Sequence, residues 1–196
     1  MSRRPIEDLE IYLVDKGFDM FIAWKQAFDG VKNVQVVNSD FCWFMSSHPD
    51  VDCVVSPANG YGLMDGAYDL AITQWFGDEL QKKVQKYIID NLYGEQPVAS
   101  SIVIDTDKNG IKLVHTPSMQ APSGIRDPAV VYHCTRSCLI AALNCGAKRV
   151  VVPAFGGCTG GLPLEIIAKN MRKAYDQLSN PPDALNWEYV RANRLQ

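Results

Sequence analysis

Two stretches of this chain, Ser56 to Asp69 and Pro153 to Pro163, pass from a run of β-branched residues into an amphipathic segment through glycine and other small residues. Junctions of that kind limit the fold severely. Strands that each hand the chain to a helix build a sheet with helices packed on its faces, and the junctions then gather at one edge of the sheet. Small residues there let a ligand approach the backbone.

The rest of the chain keeps the same alternation. Ile11-Tyr12-Leu13-Val14 is a short apolar run, followed at helical spacing by Phe18, Phe21, Ile22 and Phe28 until Gly30, which predicts a strand and then a helix. Val34 to Val37 and Val51 to Val55 are two further β-branched runs, predicted as buried strands. From Asp69, a stripe of Leu70, Ile72 or Thr73, Phe76, Leu80, Val84, Ile88 and Leu92 runs to Gly94 and predicts one long helix with a left-handed cap. Ile102 to Ile104 and Ile111 to Val114 flank Asn109-Gly110, a pair suited to the positive φ angles of a type I′ hairpin turn. Asp127 and Pro128 are placed to start a helix through Val131, Cys134, Cys138, Ala142 and Cys145 that stops at Gly146, and the strand Arg149 to Val152 follows. Pro163 opens a helix expected to turn Ile166, Ile167, Met171 and Leu178 toward the core, and Pro181-Pro182 ends it. Residues 183–196 are expected as a terminal helix or tail. No repeat or linker divides the 196 residues, so one domain of α/β class with a mixed central sheet between helices is expected.

Composition narrows the function classes. Lys and Arg number 19 against 22 Asp and Glu, a formal net charge of −3, so there is no overall basic field for general nucleic-acid binding or for an anionic membrane. An anion must be held locally, and backbone N–H groups in a small-residue junction, aimed with a helix N-terminus, hold phosphate without Lys or Arg. Charged residues interrupt the first ten positions, unlike the apolar core of a signal peptide, and no apolar run approaches the roughly 18 residues of a membrane span. A cytoplasmic location, or the host cytoplasm for a phage-encoded chain, is the expectation. The six cysteines, at 42, 53, 134, 138, 145 and 158, sit mostly in apolar segments, where a reduced thiol packs as a small hydrophobe.

In the order of these motifs the chain resembles a macrodomain, the family that binds ADP-ribose and related nucleotides, from about residue 34 to residue 178. Val37-Asn38-Ser39-Asp40-Phe41 stands where the family has a Gly-Asp-Ile-like turn, with Ser39 in place of the glycine. Ser56-Pro57-Ala58-Asn59 stands for its Asn-Ala-Ala-Asn stretch, and Asn59 and Asp69 keep the family's ten-residue separation. Pro153 to Pro163 matches its glycine-rich diphosphate loop in length. The wording is nearest a divergent bacterial and phage subgroup.

The resemblance implies a three-layer fold and a set of roles. Asp40 and the Phe41 amide would hold adenine. Ala58, Gly66 and Ala67 would line the ligand, Asn59 and Asp69 would hold the distal ribose, and Asp65 would reach that ribose or act as a second carboxylate. Gly156, Gly157, Cys158, Thr159, Gly160 and Gly161 would take the diphosphate, and Phe155 or Tyr61 is placed to stack on a ring, although simple packing is the preferred reading of each. The reaction implied is hydrolysis of an ADP-ribosyl linkage, or of ADP-ribose 1″-phosphate, with Asp69 as general base acting on water and Asn59 beside it. No metal or cofactor is implied. The alternative is a reader that binds ADP-ribose without turnover, because Ser56 replaces an asparagine of hydrolytic relatives and Cys158 a glycine.

Read as residues alone, Asp40 is also an ordinary turn aspartate, Asn59 an Asx turn before Gly60, and Asp69 a helix-cap acid. Two rivals come from other chemistry. Gly156-Gly157-Cys158-Thr159-Gly160 spells a nucleophile elbow, but His48, His115 and His133 all precede the cysteine, the reverse of the usual order. Cys134 and Cys138 share a helix face at zinc-like spacing without two further ligands, and packing is preferred there, as it is for His115. A scaffold that keeps only the fold would bind no nucleotide.

Overall fold

A computed structural model describes residues 3–193. Six strands form one sheet in the order β2-β1-β6-β3-β5-β4: β1 Glu10–Asp15, β2 Val34–Asn38, β3 Cys53–Ser56, β4 Ile102–Asp105, β5 Lys112–His115 and β6 Arg149–Val152. All pairings are parallel except β4 with β5. Seven helices surround it: α1 Phe18–Ala27, α2 Phe41–Ser47, α3 Ala67–Phe76, α4 Glu79–Leu92, α5 Ala129–Asn144, α6 Leu164–Ser179 and α7 Trp187–Ala192. The sheet is the mixed one expected between helical layers.

Because successive side chains of a strand face opposite ways, each central strand feeds two cores. Cys53 and Val55 pack with Trp24, Leu139, Ile167 and Met171 of α1, α5 and α6. Val54 packs on the other face with Phe44, Ile72, Val84 and Ile88 of α2, α3 and α4. Parallel pairing puts the carboxyl ends of β2, β1, β6, β3 and β5 along one edge. That edge carries the junctions.

Several local expectations change in detail. The single long helix is two, because Gly77 adopts φ 94°, a backbone state that ends α3 and lets Asp78 restart the chain as α4. In α1 the buried face is Met20, Ala23 and Trp24, while Phe18 and Ile22 are exposed. The aromatic spacing was helical, but the sheet takes the other stripe. Leu70 and Ile166 are likewise exposed, and Ile167, Ala168, Met171, Ala174 and Tyr175 carry α6. The hairpin keeps its turn: the Ile111 N–H donates to the Lys108 carbonyl at 3.0 Å, with Asn109 and Gly110 both at positive φ. Asp127 accepts from the Ala129 N–H at 2.9 Å at the start of α5. α7 buries no residue, and positions 194–196 of the expected tail lie outside the described residues.

Candidate functional site

The carboxyl edge of the sheet opens into a cavity of about 510 Å³. Every junction that follows a parallel strand contributes to it: Asp15 to Met20 after β1, Ser39 to Phe41 after β2, Pro57 to Asn59 and Ala67 to Asp69 after β3, Ser118 and Met119 after β5, and Ala154 with Gly156 to Gly160 after β6. Of the residues named from sequence, the structure brings together Asp40, Phe41, Ala58, Asn59, Ala67, Asp69, Gly156, Gly157, Cys158, Thr159 and Gly160. Asp65, Gly66 and Gly161 stand outside the lining.

The β6–α6 junction is open for a ligand. Among the described residues, the backbone N–H groups of Gly156, Gly157, Cys158, Thr159 and Gly160 donate to no protein acceptor, while those of Gly161 and Leu162 close back on Gly157 and Gly156. The loop is held by its glycines. A Cβ at Gly160 would lie 2.6 Å from the Gly156 carbonyl oxygen, and Gly156 sits at φ 80° with Leu162 and Ile125 against it. Backbone donors left unpaired in this way are costly if buried and are satisfied by water or by an anionic ligand.

The β3–α3 junction behaves differently from the expectation. The amides of its first part, up to Met64, are mostly taken: Ala58 donates to Thr116, Gly60 to Met119 and Gln120, Gly62 to Asn59, Tyr61 and Leu63 to the Asn59 Oδ1, and Met64 to Gln81. The Asn59 amide nitrogen donates to the Leu63 carbonyl at 2.7 Å. Asn59 therefore forms the Asx-type brace of its own loop. The N–H groups without a protein acceptor, among the described residues, are those of Asn59, of Asp65 and Gly66 just before α3, and of Ala67, Tyr68 and Asp69 in its first turn, so the open donors of this bend gather at a helix start.

Asp69 is buried and its carboxylate meets one side chain. The Ser56 hydroxyl donates to Oδ1 at 2.6 Å; Oδ2 makes no hydrogen bond among the described residues. Burial raises the Asp69 pKa from 3.8 to about 7, opposed by the Ser56 bond and assisted by the charge of Asp65. A carboxylate poised near neutrality beside a cavity is the setting of a general base. Sequence reading noticed Ser56 only as a departure; its pairing with Asp69 depends on β3 and α3 meeting in space. Asp15, Phe18, Tyr68 and Met119 were missed as well. A polar turn at the carboxyl end of a central parallel strand is the signal that marks the first two.

Asp40 is the N-cap of α2, its Oδ1 accepting from the Cys42 and Trp43 N–H groups at 2.9 and 3.3 Å. Neither aromatic offered for stacking lines the cavity. Phe155 is fully enclosed in the core, because it continues β6 inward, and has no face to stack on a ligand. Tyr61 bonds Glu95 through its hydroxyl and does not line the cavity.

The thiol rival loses its base. Cys158 is exposed, but no histidine lines the cavity among the described residues. His48 stacks on Phe44 at 3.9 Å. His115 is buried, meets the Gln96 Oε1 at 2.7 Å through Nδ1, and burial lowers its pKa to about 3, which keeps it neutral. Cys134 and Cys138 donate to the Pro117 and Thr135 carbonyls inside the core, as packing predicts. No group of three His, Cys, Asp or Glu could hold a metal ion among the described residues, and no helix there is long and apolar enough to cross a membrane.

A sheet of this order with an open, amide-lined loop after β6 and an uncapped helix start after β3 is consistent with the macrodomain arrangement. The Macro domain family model matches residues 55–171, and the chain belongs to the macrodomain family. An uncharacterised protein of Aquifex aeolicus (strain VF5) is 32% identical over 124 residues, covering 62% of this chain and 71% of that protein. Among solved structures, the Oceanobacillus iheyensis macrodomain with MES bound superposes with a TM-score of 0.58 at 22% identity, over 66% of this chain and 70% of that one. The macrodomain of Mycobacterium tuberculosis DarG gives 0.57 at 20% identity, over 66% and 84%. A glycine-to-valine mutant of the Oceanobacillus protein, solved with ADPR, gives 0.61 at 18% identity, over 91% and 83%. These likenesses establish the fold.

Proposed function

We propose that this chain binds ADP-ribose, or a closely related NAD-derived nucleotide, and hydrolyses ADP-ribosyl linkages with Asp69 as the general base. The observation that carries the binding is the run of backbone N–H groups from Gly156 to Gly160 without protein acceptors, on residues that line the cavity. A diphosphate supplies the acceptors they lack, and the first turn of α3 adds a helix N-terminus beside them. The ADPR in the Oceanobacillus mutant structure supports the same choice of ligand. The adenine then lies toward Asp40 and Phe41, and the distal ribose toward Asn59 and Asp69.

In this reading Ser56 fixes one oxygen of Asp69 and leaves Oδ2 to take a proton from water. The water oxygen forms a bond to the anomeric carbon of the distal ribose, and the acceptor leaves with the electrons of the broken linkage. Turnover of an ADP-ribosylated substrate, followed by chromatography of the released product, is expected to rise with pH to a plateau above about 7, as Asp69 ionises. The Asp69→Ala variant should bind ADP-ribose and release nothing. Release by that variant at the wild-type rate would remove the base assignment.

A second reading, binding without turnover, is favoured by one observation: the Asn59 amide braces its own loop through its oxygen and one of its two N–H donors. Tight binding by the wild-type chain with no release from any ADP-ribosylated substrate would select it.

The base contact has a test of its own. Since Asp40 both caps α2 and faces the cavity, alanine would confound two losses. Asp40→Ser keeps a capping oxygen and removes the carboxylate, so ADP-ribose affinity should fall roughly tenfold or more by calorimetry while the melting temperature holds. Unchanged affinity would leave Asp40 with the cap alone.

A further inference from the structure

At the amino edge of the sheet, opposite the cavity, two thiols meet. Cys53 opens β3 and Cys145 closes the C-terminus of α5, and the Cys53 thiol hydrogen-bonds to the Cys145 sulfur. Both belong to the core shared by α1, α5 and α6, Cys53 inside it and Cys145 packed at its margin. The backbone fixes the meeting. The Asp52 carboxylate accepts from the Lys148 and Arg149 N–H groups, each at 3.0 Å, and the Asp52 N–H donates to the Arg149 carbonyl at 3.2 Å. The turn that follows Cys145 is thereby tied to the residue that precedes Cys53, with Gly146 at φ 84° making the bend.

The two sulfurs are not equivalent. A thiolate, rather than a thiol, is the form that reacts with oxidants and alkylating agents. The Cys53 thiol, as donor, holds Cys145 below the usual thiol range, against the effect of burial, with the Ala147 N–H assisting and the Asp52 charge opposing. The same bond, together with burial, keeps the proton on Cys53. Cys145 also has surface open to solvent, and Cys53 has none. The other thiols nearby differ. Cys138 lies close to Cys53, but its thiol donates to the Thr135 carbonyl of its own helix at 3.2 Å. Cys42 is partly open like Cys145, yet burial and the Asp40 charge push its thiol up.

We propose that Cys53 and Cys145 are a site of reversible oxidation: hydrogen peroxide oxidises Cys145, and Cys53 converts the product to a disulfide that locks β3 to the end of α5. In the first step the Cys145 thiolate attacks one peroxide oxygen, the O–O bond breaks, and hydroxide leaves and takes up the proton that the thiol gave, so that Cys145 becomes a sulfenic acid and one water is formed. In the second the Cys53 sulfur attacks the sulfenic sulfur, the S–O bond breaks, and the Cys53 proton leaves with the hydroxide as a second water. Two thiols lose two electrons and two protons, and the peroxide is reduced to water. The new bond joins residues 92 positions apart, which restricts the unfolded chain and stabilises the fold.

Brief treatment of the folded full chain with hydrogen peroxide tests this, followed by blocking of free thiols, digestion without reductant and mass spectrometry. The expected product is a peptide pair linked through Cys53 and Cys145, two hydrogens lighter than its parts and separated by dithiothreitol. Before oxidation, iodoacetamide at pH 7 should label Cys145 about tenfold faster than Cys42. Each variant has its own signature. Cys53→Ser should stop Cys145 at the sulfenic acid, where dimedone captures it, and Cys145→Ser, at the margin of the core, should leave Cys53 a free thiol. If the folded wild-type chain oxidises Cys158 and yields no linked pair, or yields it only in urea, the proposal is overturned. Equal labelling of Cys145 and Cys42 would overturn it as well. No nucleotide enters these measurements, so their outcome is independent of what the cavity binds.

Discussion

At pH 8 the Asp69→Asn variant is expected to melt about 5 °C or more above the wild-type chain, and at pH 4 the two should nearly coincide. The carboxyl of Asp69 has a pKa of about 7 in the fold against an ordinary 3.8, chiefly because it is buried. The folded state therefore holds the proton more tightly than the unfolded chain. The stability this group contributes is fully present below about pH 4 and is lost as pH rises from there through about 7. By linkage the loss is roughly 2 to 4 kcal/mol, and each kcal/mol moves the midpoint of a domain this size by about 2 to 4 °C. Asparagine keeps an oxygen for the Ser56 hydroxyl, now at 2.6 Å from Asp69, and carries no charge to bury. Thermal melts of both proteins from pH 4 to 8 give the answer, and parallel curves would mean that Asp69 is not a strained acid. Hydrolysis should vanish in the same variant, so the group that destabilises the fold at neutral pH is the one the proposed reaction uses.

Gly160→Ala should cost more than a hundredfold in ADP-ribose affinity while the protein still folds. The added Cβ would meet the Gly156 carbonyl oxygen at 2.6 Å, the Gly156 Cα at 2.8 Å and the Ile125 Cδ1 at 2.8 Å. Two of those three atoms are backbone, so the loop itself must move, and the N–H groups from Gly156 to Gly160 lose their common arrangement. The penalty to stability is smaller, about 1 to 3 kcal/mol, because the two cores beneath the loop are not entered. Gly157→Ala is the control: its nearest neighbours would be the Ile167 Cδ1 at 3.7 Å and the Ala154 Cβ at 3.9 Å, ordinary contacts. Calorimetry that shows equal affinities for the two variants would mean that the loop does not hold the ligand.

How much of this was legible differs between core and cavity. Val54-Val55 and Val150 to Val152 announce strands buried on both faces, and Asn109-Gly110 announces its turn, because those signals are local. The stripe from Leu70 to Leu92 did not announce its break. Gly77 reads as one tolerable glycine in a helix until its φ of 94° is known. Phe18, read as part of the core face of α1, stands in the cavity, and Phe155, weighed between packing and stacking on a ligand, is enclosed behind β6.

The order of strands and helices, the glycine junctions and the lack of a basic field were set by the sequence alone, since period, turn chemistry and charge belong to neighbouring residues. What only the tertiary structure decided is which groups remain unsatisfied. Asn59 is used by its own loop, Asp69 is met by Ser56 thirteen residues away, and the Tyr68 hydroxyl has no partner. Whether a polar group is paired, enclosed or open depends on atoms brought from other strands, and burial, which sets both the pKa of Asp69 and the exposure of Phe18, is a property of the packed molecule.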